Sequence, residues 1–529
     1  MARFLPVLAS LALFALSLAG WQRSVFAVIG AILFGALLLV GLYDIVQTRH
    51  ALWRNYPILS RVRWIAEELR PFLRAYIVES ETEGRPFNHE DRAMVYRRAK
   101  NVSSVEPFGS HLDIEAASHE WVAHSISAKH PETDDPRVTV GAHGTAQPYS
   151  ASVFNISAMS FGSLGARAIE ALSRGAAKGG FYHDTGEGGV SRYHKAGGGD
   201  LVWELGSGYF GCRNKDGSFD PGQFAETAQL DQVKMIEIKL SQGAKPGHGG
   251  VLPGSKVTPE IAEARGIAVG ETCLSPPSHT AFSTPIELLE FVAKLRALSG
   301  GKPVGIKFCV GNRWEVLALC KAMLKTGERV DFMVVDGAEG GTGAAPAEFQ
   351  DHVGAPLRQG LVLTRNALVG TGLKADVRLA VAGKQVSAYA LASSMALGAD
   401  WVNTARGFMF ALGCIQSLNC HRNTCPTGIA TTDRGRQRGL VVTDKAERVY
   451  HYHRNTIAAL MEVVGAAGCC HPSELTPRHI MRRITEDRGI SAETAYQLVA
   501  PSALVDDPSA TTLAREWAMA QADTFAPAT

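Results

Sequence analysis

The chain has 529 residues, enough for one enzyme domain of about 250–400 residues with further segments around it. A net charge of +2 gives no electrostatic reason to expect nucleic acid as a partner. The nine cysteines are odd in number and follow no regular framework, which argues against a secreted disulfide scaffold.

Residues 4–21 carry no charge, and a second uncharged run at 24–43 follows after Gln22 and Arg23. Each run, at about 18–20 residues, is long enough to span a bilayer. The pattern predicts a two-helix transmembrane hairpin over 1–48. A cleaved signal peptide fits less well, because the first run lacks a strongly basic start and the second run stays unexplained. Arg3 precedes the hairpin and Arg49, Arg54, Arg61 and Arg63 follow it, with only Arg23 in the turn. The positive-inside rule then sets both ends in the cytoplasm, with the protein in the inner (cytoplasmic) membrane and its catalytic part in the cytosol. Trp53, Tyr56 and Trp64 interleave with the arginines, as in an interfacial helix or a helix packed on the catalytic domain.

Residues 50–84 read as amphipathic and helical, and 85–150 as a polar, irregular lead-in. The segment 49–150 is expected to pack on the domain that follows. From 151 to about 440, apolar runs suited to strands alternate with helical stretches. Strands are predicted at 153–158, 233–240, 303–310, 331–335, 377–381 and 401–404. Helices are predicted at 164–178, 285–298, 312–325, 356–369 and 387–397. Such alternation implies a parallel sheet, either a closed barrel or an open doubly wound sheet. Glycine-rich loops follow many different strands, which favours a (β/α)8 TIM barrel whose loops meet at one face. The remainder, 441–529, reads as a helical extension whose last part, from about 501, lacks periodicity.

The spacing Cys414-x5-Cys420-x4-Cys425, followed by Pro426, lets three thiolates reach one iron–sulfur cluster if the chain loops around it. Buried apolar cysteines are an alternative, as is zinc with a fourth ligand such as His421. The surrounding stretch GCIQSLNCHRNTCPTGIATTD strongly resembles the cluster loop of glutamate synthases. Further matches lie upstream in the same order: SAMSFG at 157–162, TGEGG at 185–189, QGAKPG at 242–247, LPGSKVTPEIAEARG at 252–266, SPPSH at 275–279 and VDGAEGGTGAAP at 335–346. The resemblance covers about residues 85–470.

It implies an FMN-binding barrel with a 3Fe–4S cluster held by Cys414, Cys420 and Cys425. Ser157, Met159 and Ser160 would lie against the flavin. Gly340, Gly341 and Thr342 would offer backbone N–H groups to a phosphate or a flavin carbonyl. Gly383 and Gly407 follow the last two predicted strands, where barrel phosphate sites commonly sit, with Arg406 as counter-ion. Lys307, late in its strand, would approach the flavin pyrimidine, where a positive charge favours the reduced cofactor. Lys239 and Gln242 are placed with the cofactor. Glu187, Lys245 and Arg265 match positions that line the 2-oxoglutarate or 2-iminoglutarate site, and cations suit a dicarboxylate.

Two departures bear on the substrate. His248 stands where the family usually has glutamate, and Val251 where a glutamine touches the oxo acid. Losing such a buried polar partner costs about 1–3 kcal/mol. The sequence before residue 150 has no room for a glutaminase domain, and no convincing NAD(P)H fingerprint is present. Ammonia and electrons are therefore expected from elsewhere, the electrons from a partner protein. The leading expectation is reduction of 2-iminoglutarate to glutamate. The alternatives are a membrane-anchored flavin and iron–sulfur oxidoreductase acting on another amino acid or amine, and an electron-relay subunit without its own substrate.

Overall fold

The computed structural model describes residues 2–141 and 145–529, in two compact units, Met1–His89 and Glu90–Thr529.

In the first unit α1 (Leu5–Ala19) and α2 (Val25–Val46) pack antiparallel around a turn. The Ser24 side chain caps α2 by accepting from Phe26 N at 3.2 Å. Glycines on α2 let the helices approach: a Cβ at Gly35 would lie 2.8 Å from the Phe14 ring, and one at Gly41 2.8 Å from Val7. With 22 residues, apolar except for Asp44 near its end, α2 is long enough to cross a membrane. At 15 residues α1 rises only about 22 Å, short of the roughly 30 Å hydrocarbon core. The expected pair of apolar helices is present, and of the two only α2 has span length. The chain then turns into α3 (Arg61–Leu73), which runs on into a π-helical turn, Arg74–Val78.

The core of the second unit is a closed barrel of eight parallel strands. In chain order these are β1 (Phe154–Ile156), β2 (Tyr182–Asp184), β3 (Asp200–Leu205), β4 (Val233–Lys239), β5 (Val304–Phe308), β6 (Phe332–Asp336), β7 (Arg378–Ala382) and β8 (Trp401–Thr404). Each strand pairs with the next, and β8 closes onto β1 through Val402 and Phe154. Six of the strands overlap the segments expected from sequence; β2 and β3 were not among them. The helix at Pro285–Leu298 has the expected bounds. Thr284 and Glu287 cap it reciprocally and Pro285 occupies its first turn.

Outside the barrel the structure corrects two expectations. The lead-in contains a helix, His89–Ala99, and short strands at Glu120–Val122, Arg137–Val140 and Tyr149–Ser152. The tail is not uniformly helical. After α4 (Val442–Ala466) comes a hairpin, Ile480–Thr485 with Arg488–Ser491, which pairs antiparallel with Glu120–Val122. The aperiodic end is tied down, with Lys321 Nζ donating to the carbonyls of Trp517 (2.7 Å) and Ala520 (2.9 Å). Trp314 Nε1 likewise donates to Phe525 O at 3.1 Å.

Candidate active site

Parallel strands in a closed barrel deliver their C-terminal loops to one mouth. Here the upper strand positions carry charge in layers. Glu204 on β3 lies opposite Glu237 on β4, and one step higher Lys239 on β4 lies opposite Lys307 on β5. Like charges directly across a ladder repel. Contacts between the layers relieve this: Lys307 Nζ is in contact with Glu204 and 3.2 Å from Glu237 Oε1, while Lys239 Nζ is 3.6 Å from Glu204 Oε1. Burial works against the Lys307 ammonium, but Glu204, Glu237 and Asp184 outweigh it and hold its pKa well above the ordinary value. Burial, together with neighbouring carboxylates, pushes Asp184 and Glu237 up instead. Asp184, Glu204 and Glu237 bring carboxylate oxygens within 4.8 Å of one another. Lys307 already supplies the cation there.

Above this layer Lys239 Nζ is 2.8 Å from Glu187 Oε2, which also accepts from Ser275 Oγ at 3.3 Å. Burial alone would raise the Glu187 pKa; Lys239, then Arg265 and Lys245, outweigh it and hold the carboxyl at about 2. Lys245 is buried, and desolvation lowers its pKa despite Glu187. Arg265 donates from Nη2 to Ser160 Oγ (3.4 Å) and Phe161 O (3.3 Å) and lies over the Phe210 ring. Its Nε is buried with no hydrogen-bond partner among the described residues. Two glycines make room here. Gly186, at φ +60°, would place a Cβ 2.7 Å from Ser160 N, and a Cβ on Gly250 would fall 2.2 Å from Glu187 Oε1. Glu187, Lys239, Gln242, His248 and Gly250 line one cavity.

On the other side of the mouth the loops after β6, β7 and β8 meet. Arg406 donates from Nη2 to Glu339 O at 2.8 Å, and a Cβ on Gly341 would lie 2.8 Å from the guanidinium carbon. Burial lowers Arg406 to about 10 although Asp336 and Glu339 oppose this. Gly383, at φ +135°, would place a Cβ 3.4 Å from Gly337 N, and Gly340 lies against Gly337 O and Asp336. Thr342 is half-buried in the same loop as Gly340 and Gly341, and Gly407 packs on Thr404 and the Tyr452 hydroxyl. Ser157 and Met159, on the segment leaving β1, are buried with Ser160.

The cysteine loop adjoins this mouth. A Cβ on Gly343 would meet Cys420 Cβ at 3.9 Å, and Lys256 Nζ donates to Cys420 O at 3.3 Å. Cys414, Cys420 and Cys425 are free thiols close enough to raise one another's pKa values where they couple. Burial opposes ionisation of Cys425, but hydrogen bonds from the Thr427 side chain and from backbone groups at 427, 429 and 430 lower its pKa on balance. Left-handed backbone at Gln416, Leu418 and Asn423 turns the loop around the thiols. The three sulfurs are not among the triads of ligand atoms within 4.8 Å of one another. A single zinc needs its thiolates about 4 Å apart, given Zn–S near 2.3 Å. Three free thiols on one loop, with N–H donors to Cys425, are a donor set that fits an iron–sulfur cluster.

The structure thus gathers the sequence candidates into three adjoining groups at one barrel mouth. Sequence reasoning missed Asp184, Glu204, Glu237 and Asp336 beneath them. It also missed Lys256 beside Cys420, and His279, whose Nε2 lies 2.8 Å from Lys239 O.

Comparison with known proteins finds relatives along most of the chain. The family described as a conserved region in glutamate synthase matches residues 119–470. The glutamate synthase large subunit-like protein YerD of Bacillus subtilis is 36% identical over 498 residues, covering 86% of this chain and 94% of its own. The archaeal-type glutamate synthase [NADPH] of Thermotoga neapolitana is 28% identical over 422 residues, covering 78% and 79%. Among solved structures, a flavocytochrome b2 variant with bound pyruvate matches at 14% identity and TM-score 0.41, over 80% of this chain and 85% of that one. The family match begins before the barrel and runs through all three cysteines, and the YerD alignment takes in most of both chains: the chain belongs to the glutamate synthase family and is an oxidoreductase of that type.

Proposed function

We propose that the chain is an FMN- and 3Fe–4S-dependent oxidoreductase that reduces 2-iminoglutarate, formed from 2-oxoglutarate and ammonia, to glutamate, with electrons from a partner protein. The observation that carries this reading is the juxtaposition of an ionised Glu187, two buried cations at Lys245 and Arg265, and a three-thiol loop at one barrel mouth. FMN would be held by Ser157, Met159, Ser160, Lys239, Gln242 and Lys307 around the ring system. Gly340, Gly341, Thr342, Gly383, Arg406 and Gly407 would take its remaining polar groups and phosphate. When bound, it supplies hydride chemistry, and a cluster on Cys414, Cys420 and Cys425 supplies single electrons.

The chain's own residues do the rest. Arg265 keeps a buried Nε–H with no hydrogen-bond partner among the described residues, which suits a substrate carboxylate. Lys245, its pKa lowered by burial, binds the other carboxylate or gives up a proton. Glu187, at about 2, is a carboxylate at neutral pH, so it accepts a hydrogen bond from the imine nitrogen and orients it rather than acting as an acid. The α2 helix is inferred to anchor the protein in the cytoplasmic membrane with the barrel in the cytosol, supported by its length and apolar composition.

A second reading, an oxidoreductase for another amino acid or amine, is favoured by the cavity wall. His248 lines it and packs edge-on to Phe349 at 5.4 Å, and Val251 is 41% exposed where a polar contact to an oxo acid is expected. The deciding experiment is anaerobic. The detergent-purified protein is reduced and mixed with 2-oxoglutarate and ammonia. Rapid reoxidation with glutamate formed supports the first reading, and reoxidation only by other acceptors supports the second. Protein lacking both flavin absorbance and iron would refute both.

A further inference from the structure

The helix α3 is strongly amphipathic, and its apolar side is exposed. At about 100° per residue, Val62, Ile65, Leu69, Phe72 and Leu73 fall on one stripe. Arg63, Glu67 and Arg70 fall on the other side. No residue of α3 is buried, and Ile65 and Leu69 are 57% and 49% exposed. The apolar surface continues through Ile77 and Val78 of the π-helical turn, each 74% exposed. A helix of this pattern ordinarily turns its stripe to a core, and a contiguous exposed apolar patch marks an interaction site.

The start of α3 is fixed to the end of α2. Asp44, fully buried near the C-terminus of α2, accepts from Arg61 Nη2 at 2.6 Å and from Ile58 N at 3.0 Å. The Arg61 guanidinium lies 4.2 Å over Trp53, whose ring meets Trp64 edge-on at 5.4 Å. Tryptophan and arginine together are the residues enriched where an apolar span gives way to headgroups. From the polar side, Arg63 and Arg70 can raise their charge toward phosphate.

We propose that α3 lies flat in the headgroup region of the bilayer that α2 crosses, its stripe among the acyl chains and its arginines on anionic phospholipid. The buried Asp44–Arg61 pair sets its depth by fixing where the span ends and the interfacial helix begins. The inference rests on the reading of α2 as a membrane span, and the test separates the two.

The full-length protein is reconstituted into vesicles of phosphatidylglycerol and phosphatidylcholine, with the photoreactive residue p-benzoylphenylalanine placed singly at five positions. Positions 65 and 69 report the stripe, 63 and 67 the opposite side, and 32 the middle of α2. After irradiation, mass spectrometry counts lipid adducts. The expected result is strong lipid labelling at 32, 65 and 69, several-fold above 63 and 67. Labelling at 32 but equal or absent labelling on both sides of α3 overturns the interfacial helix and leaves the span standing. Protein–protein crosslinks in place of lipid adducts at 65 and 69 also overturn it, because the stripe is then covered by protein. No lipid at any position overturns the span as well. A further variant, Asp44→Asn, is expected to lower the 65-to-63 labelling ratio while position 32 stays labelled.

Discussion

Replacing Lys307 with methionine removes the ammonium that meets both the Glu204 and the Glu237 carboxylates. All three side chains are 3% exposed or less. Breaking a buried ion pair from one side costs about 3–5 kcal/mol, because the remaining charge is left without a partner. For a unit of this size that corresponds to a fall of about 3–10 °C in the apparent Tm. The loss depends on pH with a definite sign. Asp184 and Glu237 have folded pKa values above their ordinary values, so the folded barrel binds more protons than the unfolded chain. Their contribution to stability therefore falls as pH rises from the unfolded carboxylate range toward their folded values. Without Lys307 the carboxylates are pushed up further, so Lys307→Met is expected to be mild at pH 5.5 and severe at pH 8. The assay is thermal unfolding of the detergent-solubilised chain at a fixed scan rate, since large proteins often unfold irreversibly. Adding Glu204→Gln should recover about half of the loss or more at pH 8, which weaker flavin binding alone would not do. A single variant as stable as the parent at pH 8, or a double variant with no recovery, would refute the layered-charge reasoning.

Other substitutions test the site from different sides. Gly250→Ala puts a methyl 2.2 Å from Glu187 Oε1, and because a flexible side-chain end can move, the cost should appear in positioning. A fall in kcat/KM of roughly 10–100-fold with an unchanged flavin spectrum is expected; normal turnover would place Glu187 outside the reaction. The Lys239–Glu187 pair holds Glu187 at about 2 against an ordinary 4.5, so its stabilisation is complete above the ordinary value and fades as pH falls through about 2. Lys239→Met should therefore destabilise the protein equally at pH 6 and 8 in urea titrations, with the difference shrinking below pH 4. Cys420→Ser should lose most of the iron measured per chain while flavin content stays near parental; iron retained in full would assign the thiol a packing role. Val251→Gln should lower KM for 2-oxoglutarate if that acid is the substrate, and leave it unchanged or higher if the cavity serves another ligand.

Much of the barrel was legible in the sequence because its signals are local. Pro285 and the Thr284–Glu287 capping box mark a helix start without knowledge of the rest of the chain. The run at 401–404 is buried at every position, as a strand inside a parallel barrel should be. The misses were of another kind. The β2 strand has only three residues, too few to register a period. The hairpin at Ile480–Thr485 and Arg488–Ser491 carries arginines that read as a polar helix. It gains order from pairing with residues more than 350 positions earlier, which no local pattern reports. The three cysteines were legible as candidates because their close spacing and flanking residues are local signals, whereas Lys256 reaches Cys420 across 164 residues.

The charged layers explain why the lower half of the site stayed hidden. On β4 the residues Met235, Glu237 and Lys239 alternate with Lys234, Ile236 and Ile238. In an open sheet, Glu237 and Lys239 would read as a solvent-facing edge. Closure reverses this, because the mouth of a barrel is lined by the inward positions while helices bury the outward ones. Once β3, β4 and β5 are in register, the carboxylates of Glu204 and Glu237 form one row and the ammonium groups of Lys239 and Lys307 the next row toward the mouth. A cationic row alone would lose its protons to desolvation, as the lowered pKa of the buried Lys245 illustrates. The carboxylate row keeps Lys307 charged, while Glu187 first and Glu204 second do the same for Lys239, and both pKa values lie above the ordinary one. The charge of Lys307 is thus maintained from below, by residues that have no reason to touch an anionic ligand themselves, and that of Lys239 from both sides.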